Sequence, residues 1–153
     1  MPEPVNIHAT AIVVGEAGLL FVGPSGIGKS SMALQCLATA RRAGWSAALV
    51  ADDQVFISQS SGRLIAARPA AIAGLIEIRG SGIAAIPSIP EAPLHLAILL
   101  VDPMTAERLP DLEQTYPVPG HGALPQLMLA KDHREPLAAI AALHPDIGIP
   151  TTL

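Results

Sequence analysis

Short apolar runs separated by glycine, proline and small polar residues dominate the chain, and helical spacing is confined to two stretches. Residues 6–14 predict a strand, and Gly15-Glu16-Ala17-Gly18 a turn into a second, buried strand over residues 19–22. Residues 31–43 predict a helix. It ends on Arg41-Arg42-Ala43-Gly44, with cations near its negative end and a glycine free to take the left-handed cap. Residues 47–51 read as a buried strand. The runs 55–58 and 63–67 flank Ser60-Ser61-Gly62, a hairpin signal. Pro87, Pro90 and Pro93 break up a loop before a central strand over residues 94–101, which Asp102-Pro103 stops. Residues 104–125 carry no readable period. Residues 136–143 predict a last helix, with Pro136 in its first turn. Many strands and few helices, with no repeat and no linker, predict a β-rich α/β fold in one domain over residues 1–153.

Between the second strand and the first helix lies Gly23-Pro24-Ser25-Gly26-Ile27-Gly28-Lys29-Ser30. Every fixed position of a phosphate-binding P-loop is met, in the strand-then-helix setting that the motif requires. Gly26 and Gly28 let successive N–H groups turn toward one anion, and the helix adds its positive end. In such a loop Lys29 reaches the β- and γ-phosphates of a nucleotide, and the Ser30 hydroxyl ligates Mg²⁺.

Composition narrows the picture. Half of the 153 residues are apolar, so the chain builds a core. Phe21, Phe56, Trp45 and Tyr116 are its aromatic residues, so aliphatic side chains fill that core and few rings are available to stack on a base. A net charge of −4 argues against general nucleic-acid binding, which needs a basic face. The single cysteine, Cys36, permits no disulfide within the chain and reads as a buried helical thiol. No signal pattern opens the chain, and the apolar run at 94–101 is too short to span a bilayer. The cytoplasm is the expected compartment.

Three constellations flank the loop. Pairing the first two strands across Glu16-Ala17 places His8 opposite Ser25, where an imidazole can hold a phosphate oxygen or orient an attacking group; a solvated strand histidine is the alternative. Asp52-Asp53 follows a buried strand, where P-loop proteins hold metal and activate the acceptor. Adjacent strand residues face opposite ways. One carboxylate therefore reaches an acceptor hydroxyl as base, while the other meets metal, water or a structural partner. Glu77-Ile78-Arg79-Gly80-Ser81-Gly82 suggests a tight loop with a candidate Mg²⁺ ligand, Glu77, and a charge-neutralising Arg79; a Glu–Arg salt bridge is the alternative. Arg108 stands alone among acids between Arg79 and Lys131, as a local ion pair or as a charge supplied to an active site, including that of a neighbouring subunit. His95, His121, His133 and His144 show no metal-ligand spacing.

In this order, His8, Gly23 to Ser30, Ala51-Asp52-Asp53 and Glu77 to Gly82 resemble the catalytic domain of the HPr kinase/phosphorylase family, and Arg68-Pro69 matches a further family pair. The resemblance covers about residues 6–86. It implies a fold related to phosphoenolpyruvate carboxykinase and ATP-dependent phosphorylation of a serine on HPr, the phosphocarrier of the sugar phosphotransferase system. It implies Asp53 as the base, and as the acid in the reverse reaction with inorganic phosphate. Ser30 and Glu77 become Mg²⁺ ligands, His8 and Lys29 catalytic residues, and residues 76–85 a stretch shared by both directions. Glu107-Arg108-Leu109 resembles a segment with a further catalytic arginine. A homo-oligomer, hexameric in the family, is implied too. The departures are specific. The family's N-terminal domain has no counterpart before the P-loop, as in the short alphaproteobacterial form, and Ser31 stands where the family often has Glu. Gly120 to Leu127 resembles a family strand, but Lys131-Asp132-His133-Arg134-Glu135 does not match the Pro-Gly-Arg-Asn motif tied to dephosphorylation. Two other readings stay open: a kinase for a small hydroxylated metabolite, and a nucleotide-sensing module without catalysis.

Overall fold

Six strands form the central sheet of the computed structural model, which describes residues 3–111 and 113–151. In chain order the strands are β1 (Val5–Ile7), β2 (Ala9–Val14), β3 (Ala17–Val22), β4 (Ala47–Ala51), β5 (Val55–Ser60), β6 (Arg63–Ala67), β7 (Leu75–Ile78), β8 (Gly82–Ala85), β9 (Glu91–Pro93), β10 (Leu96–Val101), β11 (Thr115–Val118) and β12 (Gly122–Ala130). Two helices accompany them, α1 (Lys29–Arg42) and α2 (Pro136–Leu143). The central sheet runs β11-β12-β10-β3-β2-β4, and β12, β10 and β3 are parallel. A second sheet runs β1-β5-β6-β9, and β7 pairs with β8 alone.

Strand alternation divides the core in two. One face of the central sheet, with Ile12, Leu19, Phe21, Leu96, Ile98 and Leu127, packs on Met32, Cys36 and Leu37 of α1 and Ile140 of α2. The other face, with Ala9, Ala11, Leu20 and Ala97, packs on Val55, Ile57, Leu64 and Ala66 of the four-stranded sheet. The result is three layers: helices, mixed sheet, antiparallel sheet. This is the strand-rich α/β fold expected, with an aliphatic core whose buried Leu, Ile and Val side chains each contribute about 1.5–3 kcal/mol.

Differences from the expected elements are local. The strand expected over residues 6–14 breaks at His8: β1 joins β5 in the second sheet, and β2 joins β3 and β4 in the central one. The β2–β3 loop is Gly15-Glu16, so Ala9 meets Val22 and the register is two residues tighter than expected; Ser25 is not the partner of His8. Helix α1 begins at Lys29 rather than Ser31. The central strand begins at Leu96, because the Leu94 N–H still bonds the Leu64 carbonyl of β6, continuing from β9, and the chain crosses between sheets at His95. The hairpin at Ser61-Gly62 forms, both residues taking positive φ (53° and 76°), and α2 spans the expected residues. Residues 104–125, unreadable in sequence, include β11 and the start of β12. Among the described residues, no helix is long and apolar enough to cross a membrane.

Candidate active site

The loop between β3 and α1 is built as an anion cradle. Gly26 and Gly28 take φ of 86° and 111°, values that side chains disfavour, and Gly28 caps α1. Among the described residues, the backbone N–H groups of Gly28, Lys29, Ser30 and Ser31 have no acceptor. They are the orphan donors of a helix start, and they fit a phosphate group. The Lys29 ammonium is buried and folds back on its own loop, donating to the carbonyls of Gly23 at 2.9 Å and Pro24 at 3.1 Å. A Cβ added to Gly26 lies 3.2 Å from an Arg79 guanidinium nitrogen, so Arg79 covers the loop.

Both aspartates line the same cleft as this loop, with His8, Thr10, Glu77 and Arg79, but they differ in setting. Asp52 is 5% exposed. Its Oδ1 accepts from the Ser30 hydroxyl at 2.6 Å and the Thr10 hydroxyl at 2.8 Å, and its Oδ2 from the Glu77 N–H at 2.9 Å. Asp53 is an open carboxylate, its side chain 63% exposed, 3.1 Å from His8 Nδ1. Its φ is 71°, a strained value for a non-glycine residue at the floor of a cleft.

A bulge decides which acid faces the loop. Strict alternation from Leu49 on the helix face would carry Ala51 and Asp53 to that face. Instead Ala11 pairs with Ala51 and the next residue, Ile12, with Leu49, so Val50 is the extra residue. Val50 and Ala51 then both pack on the second-sheet face, and Asp52 turns to Ser30 on the helix face. The unlike settings of the two carboxylates have this geometric cause.

Glu77 and Arg79 stand on the β7–β8 hairpin rather than on a bare loop, and both reach the cleft. No Glu77–Arg79 ion pair forms; Glu77 is held through its backbone. Arg108 is not brought to this cleft. It is exposed between β10 and β11, beside Met128, His133 and Leu143, and has no ion-pair partner among the described residues. Thr10 was not singled out in the sequence, although it is the one polar residue of β2. Burial pushes the Cys36 thiol up to about 12, which leaves it an inert core residue.

A divalent cation fits this donor set. No three His, Cys, Asp or Glu side chains among the described residues form a cage. Mg²⁺ at a nucleotide needs none: it takes one or two protein oxygens, phosphate oxygens and water. Ser30 and Glu77 supply such oxygens here.

The fold and the site thus define an α/β protein with a glycine-rich anion cradle and two unlike carboxylates just after β4, an edge strand of its six-stranded sheet. The chain belongs to the HPr serine kinase C-terminal domain family, whose model matches residues 1–90. It is 40% identical over 88 residues to HPr kinase/phosphorylase of Clostridium tetani, a match covering 58% of this chain and 27% of that protein. Over 82 residues it is 39% identical to the HPr kinase/phosphorylase of Clostridium botulinum strain Eklund 17B, covering 54% of this chain and 25% of that one. The match therefore spans about a quarter of these relatives' length. The Hpr(Ser) kinase/phosphatase structure from Coxiella burnetii superposes with a TM-score of 0.75 at 26% identity, covering 93% of this chain and 95% of that chain.

Proposed function

We propose that the protein is an ATP- and Mg²⁺-dependent kinase that phosphorylates a serine of HPr. The observation that carries the reading is Asp53, an exposed carboxylate held by His8 at the edge of an anion cradle. Asp53 and Glu77 also line a second cleft with Gln54, Ile72, Leu75 and Ile83, which offers an acceptor polypeptide a partly apolar seat beside the base. That cleft favours a protein acceptor over a small metabolite.

In this reading Lys29 leaves the Gly23 and Pro24 carbonyls for the β- and γ-phosphates, and the free N–H groups at the start of α1 bind phosphate oxygens. Mg²⁺, when bound, draws charge from the phosphoryl oxygens; Ser30 and Glu77 hold it, and Asp52 holds Ser30. The acceptor oxygen forms its bond to the γ-phosphorus as the bond to ADP breaks, and the hydroxyl proton passes to Asp53. His8 orients Asp53, and Arg79 stabilises the charge on the moving group. Phosphorolysis of the product uses the same groups, with Asp53 giving the proton to the serine as phosphate attacks to form pyrophosphate. Arg108 completes the site from a neighbouring subunit of a homo-oligomer. A cytoplasmic location follows from HPr as substrate.

Label transfer from γ-labelled ATP to HPr tests this directly. The wild type transfers label, and added phosphate releases it as pyrophosphate. Asp53→Asn keeps its ATP affinity but slows transfer by about 10²-fold or more, the usual loss with a general base. Wild-type transfer by Asp53→Asn removes the assigned base. ATP binding without transfer by the wild type itself favours the nucleotide-sensing module.

A further inference from the structure

We propose that Thr10 is a positioning residue that fixes the cation-binding orientation of Ser30 through Asp52. The inference rests on the reading of Ser30 as a cation ligand. Ala11 pairs with Ala51, and the Ala9 N–H donates to the Asp53 carbonyl at 3.2 Å, which sets Thr10 across from Asp52. The bend before β2 thus sends His8 to Asp53, and β2 itself sends Thr10 to Asp52.

Asp52 is a nearly buried charge, stable only if its oxygens are bonded. Its three donors come from three elements of unequal rigidity. Ser30 belongs to the first turn of α1, where the glycine-rich loop ends, and Glu77 to a two-stranded hairpin. Thr10 alone belongs to a strand paired on both sides, by β3 and β4, and is fully buried. Its β-branched side chain is stiff at χ1. Thr10 is therefore the fixed post that sets the Asp52 rotamer.

Each hydroxyl has one proton, and those of Ser30 and Thr10 both go to Asp52 Oδ1. Ser30 then presents only lone pairs to the cleft, the state a cation ligand needs. Without the Thr10 bond, Asp52 keeps two donors, one at a helix start and one on a lone hairpin, and the Ser30 proton loses its fixed acceptor direction. The expected signature is weaker cation binding with the cation-free affinity for nucleotide intact.

Manganese, which is visible by electron paramagnetic resonance, probes the site in the full chain with a non-hydrolysable ATP analogue. Thr10→Val is close in shape and lacks the donor. It weakens Mn²⁺ binding on the order of 10-fold, as loss of an outer hydrogen bond to a metal ligand does, and leaves nucleotide binding in EDTA within about 2-fold. Thr10→Ser restores the hydroxyl and recovers most of the Mn²⁺ affinity. Wild-type Mn²⁺ affinity in Thr10→Val overturns the proposal, as does equal weakening in Thr10→Ser. If Thr10→Val does not fold, Thr10→Ala takes its place against Thr10→Ser under the same criteria. Failure of the wild type to bind Mn²⁺ with nucleotide is a separate result, and it removes the reading of the cleft itself.

Discussion

At the scale of single residues, the site concentrates strain where its open carboxylate lies. Asp53 takes φ of 71°, while Asp52 beside it is satisfied by three donors. A left-handed backbone costs an L-residue roughly 1–2 kcal/mol, less for Asp and Asn than for most. The His8–Asp53 pair offsets little of this, because both side chains are more than half exposed. Glycine relieves this strain but loosens the unfolded chain by about 0.4–1 kcal/mol, so Asp53→Gly is expected to gain only about 0.5 kcal/mol, raising the melting temperature by roughly 1–2 °C while transfer is lost. Thermal unfolding of the variant beside the wild type checks this. A fall in melting temperature means that the position is not strained. The same φ explains why Asn, which tolerates this backbone, is the clean replacement for testing the base.

At the scale of elements, the least anchored hairpin carries two of the side chains that line the cleft. β7 and β8 pair only with each other, and a lone two-stranded hairpin is marginal in water. Ile76 is buried at 1% exposure and Ala84 packs partly on the core, whereas Ile83 is 71% exposed; the Glu77 N–H bond to Asp52 is a further tie. Amide exchange in β7 and β8 is expected to run roughly 10²-fold faster than in β3 and β10, through local opening. Nucleotide with Mg²⁺ should slow it, since Arg79 and Glu77 close on the same cleft. Equal protection across these four strands rules out a loosely held hairpin. Elements also show what the sequence could reveal. The glycine-rich loop before α1 and the Ser61-Gly62 hairpin were legible because local motifs encode them. The break at His8 was not, since its cause is pairing of β1 with β5 far along the chain. Nor was the β4 bulge, which no glycine or proline marks in Ala47 to Ala51, although it decides that Asp52 faces Ser30. The β11–β12 hairpin was hidden by its prolines. Pro117 is tolerated on the edge strand, and Pro125 lies just before the stretch of β12 that pairs with β10. Arg79 and Arg108 were both candidate active-site charges, and only tertiary structure separates the one at the cleft from the one away from it.

At the scale of the whole molecule, the two sheets are clasped where the chain passes from β9 to β10. Gly18 admits this crossing, because a Cβ there would lie 1.8 Å from the Pro93 carbonyl oxygen. The His95 N–H donates to the Gly18 carbonyl at 2.8 Å, and the Gly18 N–H donates back to His95 Nδ1 at 2.9 Å. Nδ1 is thus an acceptor and carries no proton, so protonating it breaks the clasp. Burial lowers the His95 pKa below its ordinary 6.5, and the Arg63 charge lowers it further against an opposing pull from Glu16. The folded state therefore binds this proton less readily than the unfolded chain does. Its contribution to stability is fully present above pH 6.5 and is lost as the pH falls through the lowered value. The melting temperature is expected to drop between neutral and mildly acid pH. His95→Asn keeps a side-chain oxygen to accept the Gly18 N–H but does not titrate, so its drop over the same range should be smaller. The difference between the two pH profiles isolates His95 from the other histidines, and coincident profiles would show that protonation here is not linked to folding.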